Sequence, residues 1–194
     1  MVPANLVKIL FAINYGVWAR LSVKGPVQSS LSTGGQTVVP DEPIIYRRFQ
    51  KSDNTTGLHT SFGLGHIFVA AKESEQTAVG IINIFAPYDE KNVPEHKELI
   101  EFVRSKISKK AKEAMICYIY NLSFLEEWRQ RVSAKLLKTA LKGVKKDLPK
   151  MKAVFTLVKN DDEWEKEFHE KNGFKAYDAG DLVGQGSTIY VYKY

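Results

Sequence analysis

The chain has 194 residues, of which 44% are hydrophobic and 26% charged, the balance of a folded domain with a core. No apolar run approaches the roughly 20 residues a spanning helix needs. The single cysteine, Cys117, can form no internal disulfide and reads as a buried thiol, and the four histidines (His59, His66, His96, His169) lack zinc spacing, so neither a membrane span nor a metal site is expected. The net charge of +6 favours anionic partners, and nine Lys or Arg between Arg129 and Lys152 face a single acid, Asp147.

Residues 1–40 contain no Asp or Glu but hold Lys8, Arg20, Lys24 and a Ser/Gly-rich run to Pro40. That is the composition of a targeting segment, but the stretch has no clear cleavage signature, and an extra strand at Val17–Val23 followed by a loop belonging to the domain also reads from the same residues. The expected division is therefore an extension over 1–40 and a domain over 41–194. A cytoplasmic location is expected, or a mitochondrial one if the extension is a targeting segment.

From Ile44 the pattern is regular. Ile44–Phe49 reads as a strand, and His66–Lys72 and Ala78–Phe85 form a hairpin around Glu73–Gln76. Pro94–Lys112 is a charged helix with Leu99, Phe102, Val103 and Ile107 on one face. Ala114–Phe124 is a long strand, residues 125–130 a short loop, and Arg131–Asp147 a basic helix with Val132, Leu136, Leu137, Ala140, Leu141 and Val144 as its stripe. Its lysines fall on the wet side. Ala153–Val158 is a strand, Asp161–Lys171 a helix ended by Asn172-Gly173, and Thr188–Tyr192 a final strand. The order predicts a mixed α/β sheet.

The chemistry is expected where the strand 114–124 enters the basic helix. Free N–H groups and the dipole at a helix start suit a pyrophosphate, and two parallel strands that splay apart leave amides for an extended amide-bearing ligand such as pantetheine. Leu122-Ser123-Phe124, Trp128-Arg129, Val132, Ala134 and Leu137 resemble the strand-four and phosphate-loop pattern of the GNAT superfamily. Phe168-His169-Glu170-Lys171-Asn172-Gly173-Phe174 resembles that superfamily's F-Y-E-K-x-G-F segment. Within it, Asp41-Glu42-Pro43-Ile44, Val79–Asn83 and the insertion before strand four look most like the invertebrate arylalkylamine N-acetyltransferase branch.

The resemblance implies the GNAT (acyl-CoA N-acyltransferase) fold: α/β, with a mixed central sheet, splayed parallel strands and flanking helices. It also implies acetyl-CoA as cosubstrate, a small-molecule amine acceptor and direct acetyl transfer. By the same resemblance Glu42 is the candidate base, with Glu126 and Glu127 as runners-up, and His169 the candidate acid, with Tyr177 and Tyr120 as alternatives. The candidate cofactor-binding residues are Leu122, Ser123, Phe124, Arg129, Gln130, Arg131, Val132, Ser133, Ala134, Lys135 and Asp162, with the Phe124 N–H polarising the thioester carbonyl. Each has a plainer reading as well: Glu42 as a solvated loop acid, His169 as a surface side chain at a helix C-terminus, Ser133 as a helix cap, Asp162 as an acid at a helix start. The sequence departs from the pattern at Val132, where the loop's central glycine belongs; a β-branched residue adopts positive φ poorly. The departure keeps open a GNAT-fold protein that binds acyl-CoA or a partner without turnover. The charge alone also permits a nucleic-acid-binding module, but no aromatic RNA motif or DNA-reading helix appears, so nucleic acid is not the expected partner.

Overall fold

Seven strands in the order β1-β2-β3-β4-β5-β7-β6 form one sheet. The structure is a computed structural model describing residues 42–60, 65–108, 113–183 and 186–194, which belong to one compact unit, Asp41–Tyr194. The strands are β1 (Ile44–Arg48), β2 (His66–Lys72), β3 (Ala78–Phe85), β4 (Met115–Phe124), β5 (Met151–Lys159), β6 (Lys175–Tyr177) and β7 (Ser187–Lys193); the helices are α1 (Lys97–Ile107), α2 (Glu126–Asp147) and α3 (Glu163–Lys171). The β4–β5 pair is parallel and every other pair antiparallel. Ile44–Arg48 is thus the first described strand, while Val17–Val23 lies outside the described residues.

Helix α2 lies along β1, β2 and β3, burying Trp128, Val132, Leu136, Leu137, Ala140, Leu141 and Val144. Two glycines permit this close approach. A Cβ on Gly143 would stand 2.5 Å from the Phe68 ring, and one on Gly80 would stand 2.7 Å from the Phe124 ring and 3.3 Å from Leu136. Both ends of α2 are fastened. At its start the Arg131 guanidinium donates to the Glu42 carbonyl at 3.1 Å, and Lys72 stands over the Trp128 ring; at its end Asp147 meets Arg48 and His66. On the opposite face of the sheet, Ile81 packs with Val69, Ala71 and Leu58 in a second core beneath the segment after β1. Helix α1, preceded by a 3-10 turn at Pro94–His96, packs against β5 and β7. It ends at Ile107 rather than Lys112, and residues 109–112 lie outside the described residues.

The main correction to the sequence reading concerns 125–135. The expected loop 125–130 is helical, because α2 begins at Glu126 immediately after β4 and Leu125. No Gly or Pro stands between Leu125 and Lys142 to hold the chain open. Val132 joins the apolar stripe instead, and Glu126 and Glu127 complement the positive end of the helix dipole while Lys145 and Lys146 complement the negative end. Ser133 is buried well inside the helix and caps nothing.

Candidate functional site

The β4–β5 ladder runs from Met115↔Met151 to Tyr118↔Phe155 and stops there, although β4 continues to Phe124 and β5 to Lys159. The two strands therefore part. At the fork the buried Thr156 hydroxyl donates to the Ile119 carbonyl at 3.1 Å. On its other edge β4 stays paired to β3 as far as Gly80↔Phe124, with a register shift that leaves Tyr120 as an extra residue between Asn83↔Asn121 and Ile84↔Ile119. Such a bulge re-aims the strand next to a cleft.

Orientation along β4 follows from one bond. The Leu125 N–H donates to the Val79 carbonyl of β3 at 3.0 Å. Alternation along an extended strand then turns the N–H groups of Phe124 and Leu122 toward the parted β5 side. The side chains alternate as well: Phe124 reaches the α2 side, where it nears Leu136 through the gap at Gly80. Ser123 lies on the opposite face, where its Oγ accepts from the His59 N–H at 2.9 Å while Asn121 Nδ2 donates to the His59 carbonyl at 2.9 Å. The segment after β1 is thus tied across the end of β4. His59 was not singled out by sequence; a lone histidine in an irregular segment carries no periodic signal.

The other expected cofactor-binding residues lie on α2, apart from Asp162 before α3. Arg129, Gln130, Arg131, Ala134 and Lys135 lie on the outer and lateral faces of α2, with Val132 and Ser133 buried beneath them. Arg129 pairs with Glu126 at 2.6 Å, and Lys135 stands 4.5 Å from the Tyr46 ring centroid. The Asp162 carboxylate caps α3, accepting the Glu165 N–H at 2.8 Å, which accounts for that acid structurally.

Glu42 sits before β1, where its Oε1 accepts the Ser74 hydroxyl at 2.6 Å and Lys72 stands 3.4 Å from its Oε2. The Ser74 hydrogen bond, with help from Lys72 and Arg131, holds this carboxyl below its ordinary value against the opposing effect of burial. Below that value a carboxylate is a weaker proton acceptor.

His169 is not a surface side chain. It is fully buried, with its ring 4.7 Å from that of Phe174 and 5.9 Å from that of Tyr190, and with Nε2 3.3 Å from Glu165 Oε1. Tyr88 likewise is buried against Tyr118 and Phe155 and meets His96 through its hydroxyl, a packed cluster beside the fork.

Between the parted strands on the α2–α3 side stands an aromatic bridge that the sequence reading missed. Trp164 of α3 is stacked on Phe168 with centroids 5.0 Å apart and planes at 8°, and Phe124 meets both edge-on at 6.0 and 6.5 Å. The Arg129 guanidinium lies over the Trp164 ring at 4.6 Å. The sequence signal was the i, i+4 pair Trp164/Phe168 on the helix that follows β5.

Among the described residues no cluster of His, Cys, Asp and Glu is placed to hold a metal ion, and no helix is long and apolar enough to cross a membrane.

A mixed seven-stranded sheet with parted central parallel strands and flanking helices is the fold of the GNAT acetyltransferases, and this chain has it. Two solved structures illustrate the likeness. One is Arabidopsis thaliana NAA60 in complex with acetyl-CoA, at 16% identity and a TM-score of 0.53, covering 78% of this chain and 98% of that one. The other is a GNAT family acetyltransferase from Elizabethkingia anophelis with acetyl-CoA bound, at 12% identity and a TM-score of 0.51 over the same shares. No protein-family profile and no curated protein sequence matches the chain.

Proposed function

We propose that this protein is an N-acyltransferase that moves an acetyl group from acetyl-CoA to a small primary amine by direct transfer. The observation that carries the reading is the parting of β4 and β5 beyond Tyr118 and Phe155, with the Phe124 and Leu122 N–H groups turned into the gap. An extended, amide-bearing pantetheine arm would pair along that edge as an added strand pairs with a sheet. The Phe124 N–H would polarise the thioester carbonyl, a role for a fixed backbone dipole. Leu122, Ser123 and Phe124 would form the wall of the donor channel; Arg129 would supply positive charge for the diphosphate from the α3 side of α2, and Arg131 and Lys135, one turn apart on the side that faces Glu42 and Tyr46, would add to it. An arylalkylamine is the first acceptor to test, given the likeness of Asp41–Ile44 and Val79–Asn83 to that branch. Glu42 stays the candidate base, working from a depressed pKa; His169, enclosed in the core, contributes through packing.

A second reading has its own observation. With α2 wound from Glu126, the N–H groups from Gln130 onward lie within the helix, and Glu126 and Glu127 occupy its first turn. A site so altered binds the arm of the donor without completing the reaction. The two readings separate in a thiol-release assay with acetyl-CoA and a panel of arylalkylamines, polyamines and lysine-like amines. A transferase should show amine-dependent thiol release, weakened about tenfold or more in kcat/KM by Arg131→Glu or Lys135→Glu, as loss of a charge-assisted phosphate contact entails. Donor binding with no release for any amine would favour the second.

A further inference from the structure

The cleft that the donor would occupy is spanned on the α2–α3 side by side chains from both of its walls. Phe124 comes from the end of β4, Arg129 from the first turns of α2, and Trp164 and Phe168 from the helix that follows β5. One face of the Trp164 indole is taken by Phe168 and Arg129 stands over the ring at 4.6 Å, so the indole joins the two arms of the fork. Arg129 is only partly satisfied by this arrangement. One of its terminal nitrogens pairs with Glu126, while its Nε is buried with no hydrogen-bond partner among the described residues.

A guanidinium is better satisfied by planar, bidentate oxygen partners than by an aromatic face alone. The bridge is therefore an arrangement that an oxygen-rich anion can outcompete.

We propose that Trp164 is a positioning and gating residue of the donor cleft. The indole holds the fork closed through Phe124 and Arg129, and entry of the donor displaces it and hands the Arg129 guanidinium to the donor's phosphates. This rests on the acyl-CoA reading above and deepens it, because it assigns the entrance of the cleft to a residue in neither of the two sequence motifs. Selectivity follows: a donor carrying phosphate next to its arm opens the gate, whereas free pantetheine, lacking the anion, does so poorly.

The test uses the full-length chain labelled with 5-fluorotryptophan. Its three tryptophans give three fluorine resonances, and Trp164→Phe identifies the one of interest. Titration with CoA should move the Trp164 resonance more than the other two, with free pantetheine moving it less at equal concentration. In stopped-flow binding, Trp164→Ala should associate with CoA about tenfold faster than the wild type, the factor that 1.4 kcal/mol represents. Arg129→Met, which leaves the aromatic packing filled, should also associate faster but dissociate faster still, because it has no guanidinium to offer the phosphate. If CoA binds and the Trp164 resonance stays put while both variants keep the wild-type association rate, the gate is overturned and the donor reading stands. Binding by Trp164→Ala with none by the wild type would support the gate. If folded wild type and both variants all fail to bind CoA, the donor reading falls and the gate with it.

Discussion

Asp53 and Arg47 show how a loop that carries no regular structure is held against the sheet. The Asp53 carboxylate is buried and accepts two Arg47 nitrogens at 2.8 and 2.6 Å and the Gln50 N–H at 2.7 Å. Burial alone would raise its pKa, but the Arg47 hydrogen bonds and the Gln50 N–H outweigh it and the carboxyl is held below its ordinary value. A carboxyl depressed in the folded state contributes stability that is full above its unfolded pKa of about 3.9 and is lost as pH falls through the folded value. Asp53→Asn should therefore cost about 1–3 kcal/mol at neutral pH, and the gap between variant and wild type in urea unfolding should narrow as pH drops below about 4. A gap that is constant with pH would contradict the pairing. Cys117 gives a second residue-scale test. Burial pushes its thiol up to about 12, so a thiol reagent at pH 8 should label the native chain negligibly and the urea-unfolded chain once, since the chain has one cysteine.

At the scale of elements, α2 decides how the site is built. The sequence motif places a glycine-like turn at Val132, yet the side chain is fully buried in the stripe that packs on the sheet. Val132→Gly should remove core contacts and add backbone freedom, for a loss of roughly 2–4 kcal/mol in chemical denaturation, so any gain in activity in that variant has to be read against a less stable helix. A variant as stable as the wild type would mean that the chain at 132 is not helical. Gly143 reverses the usual helix rule. Alanine gains about 1 kcal/mol in an ordinary helix interior, but here its Cβ would meet the buried Phe68 ring at 2.5 Å. Overpacking costs about 1–3 kcal/mol, so Gly143→Ala should lower Tm; a raised Tm would show that Phe68 moves aside.

The helices, the hairpin and the long strand β4 were legible because their apolar residues repeat with the periods of helix and strand over many residues. The expected loop at 125–130 is helical from Glu126 because no Gly or Pro there interrupts the winding that follows β4, a local feature that the family's loop pattern obscures. β6 escaped because three residues, Lys175–Tyr177, carry no pattern of their own and form only by pairing with β7. His59 and Trp164 were missed for a related reason: their importance arises from contacts across 64 and 40 positions of chain, His59 with Ser123 and Trp164 with Phe124, which periodicity does not report. The burial of His169 was hidden for the opposite reason, since its neighbours Glu165, Glu167 and Glu170 give its helix a polar look while Phe168 and His169 turn inward.

For the molecule as a whole, the sheet order, the parted parallel pair and the helix laid across β1–β3 define the GNAT fold, and the proposed chemistry depends on what enters the fork. The most direct measurement is isothermal titration calorimetry of the full-length protein with acetyl-CoA and with CoA at low ionic strength. Both ligands should bind saturably at one-to-one stoichiometry, weakened by Arg131→Glu and by added salt, as a contact between α2 cations and phosphates requires. A folded protein that takes up neither ligand would contradict the donor reading, because the parted strands would then hold no acyl donor.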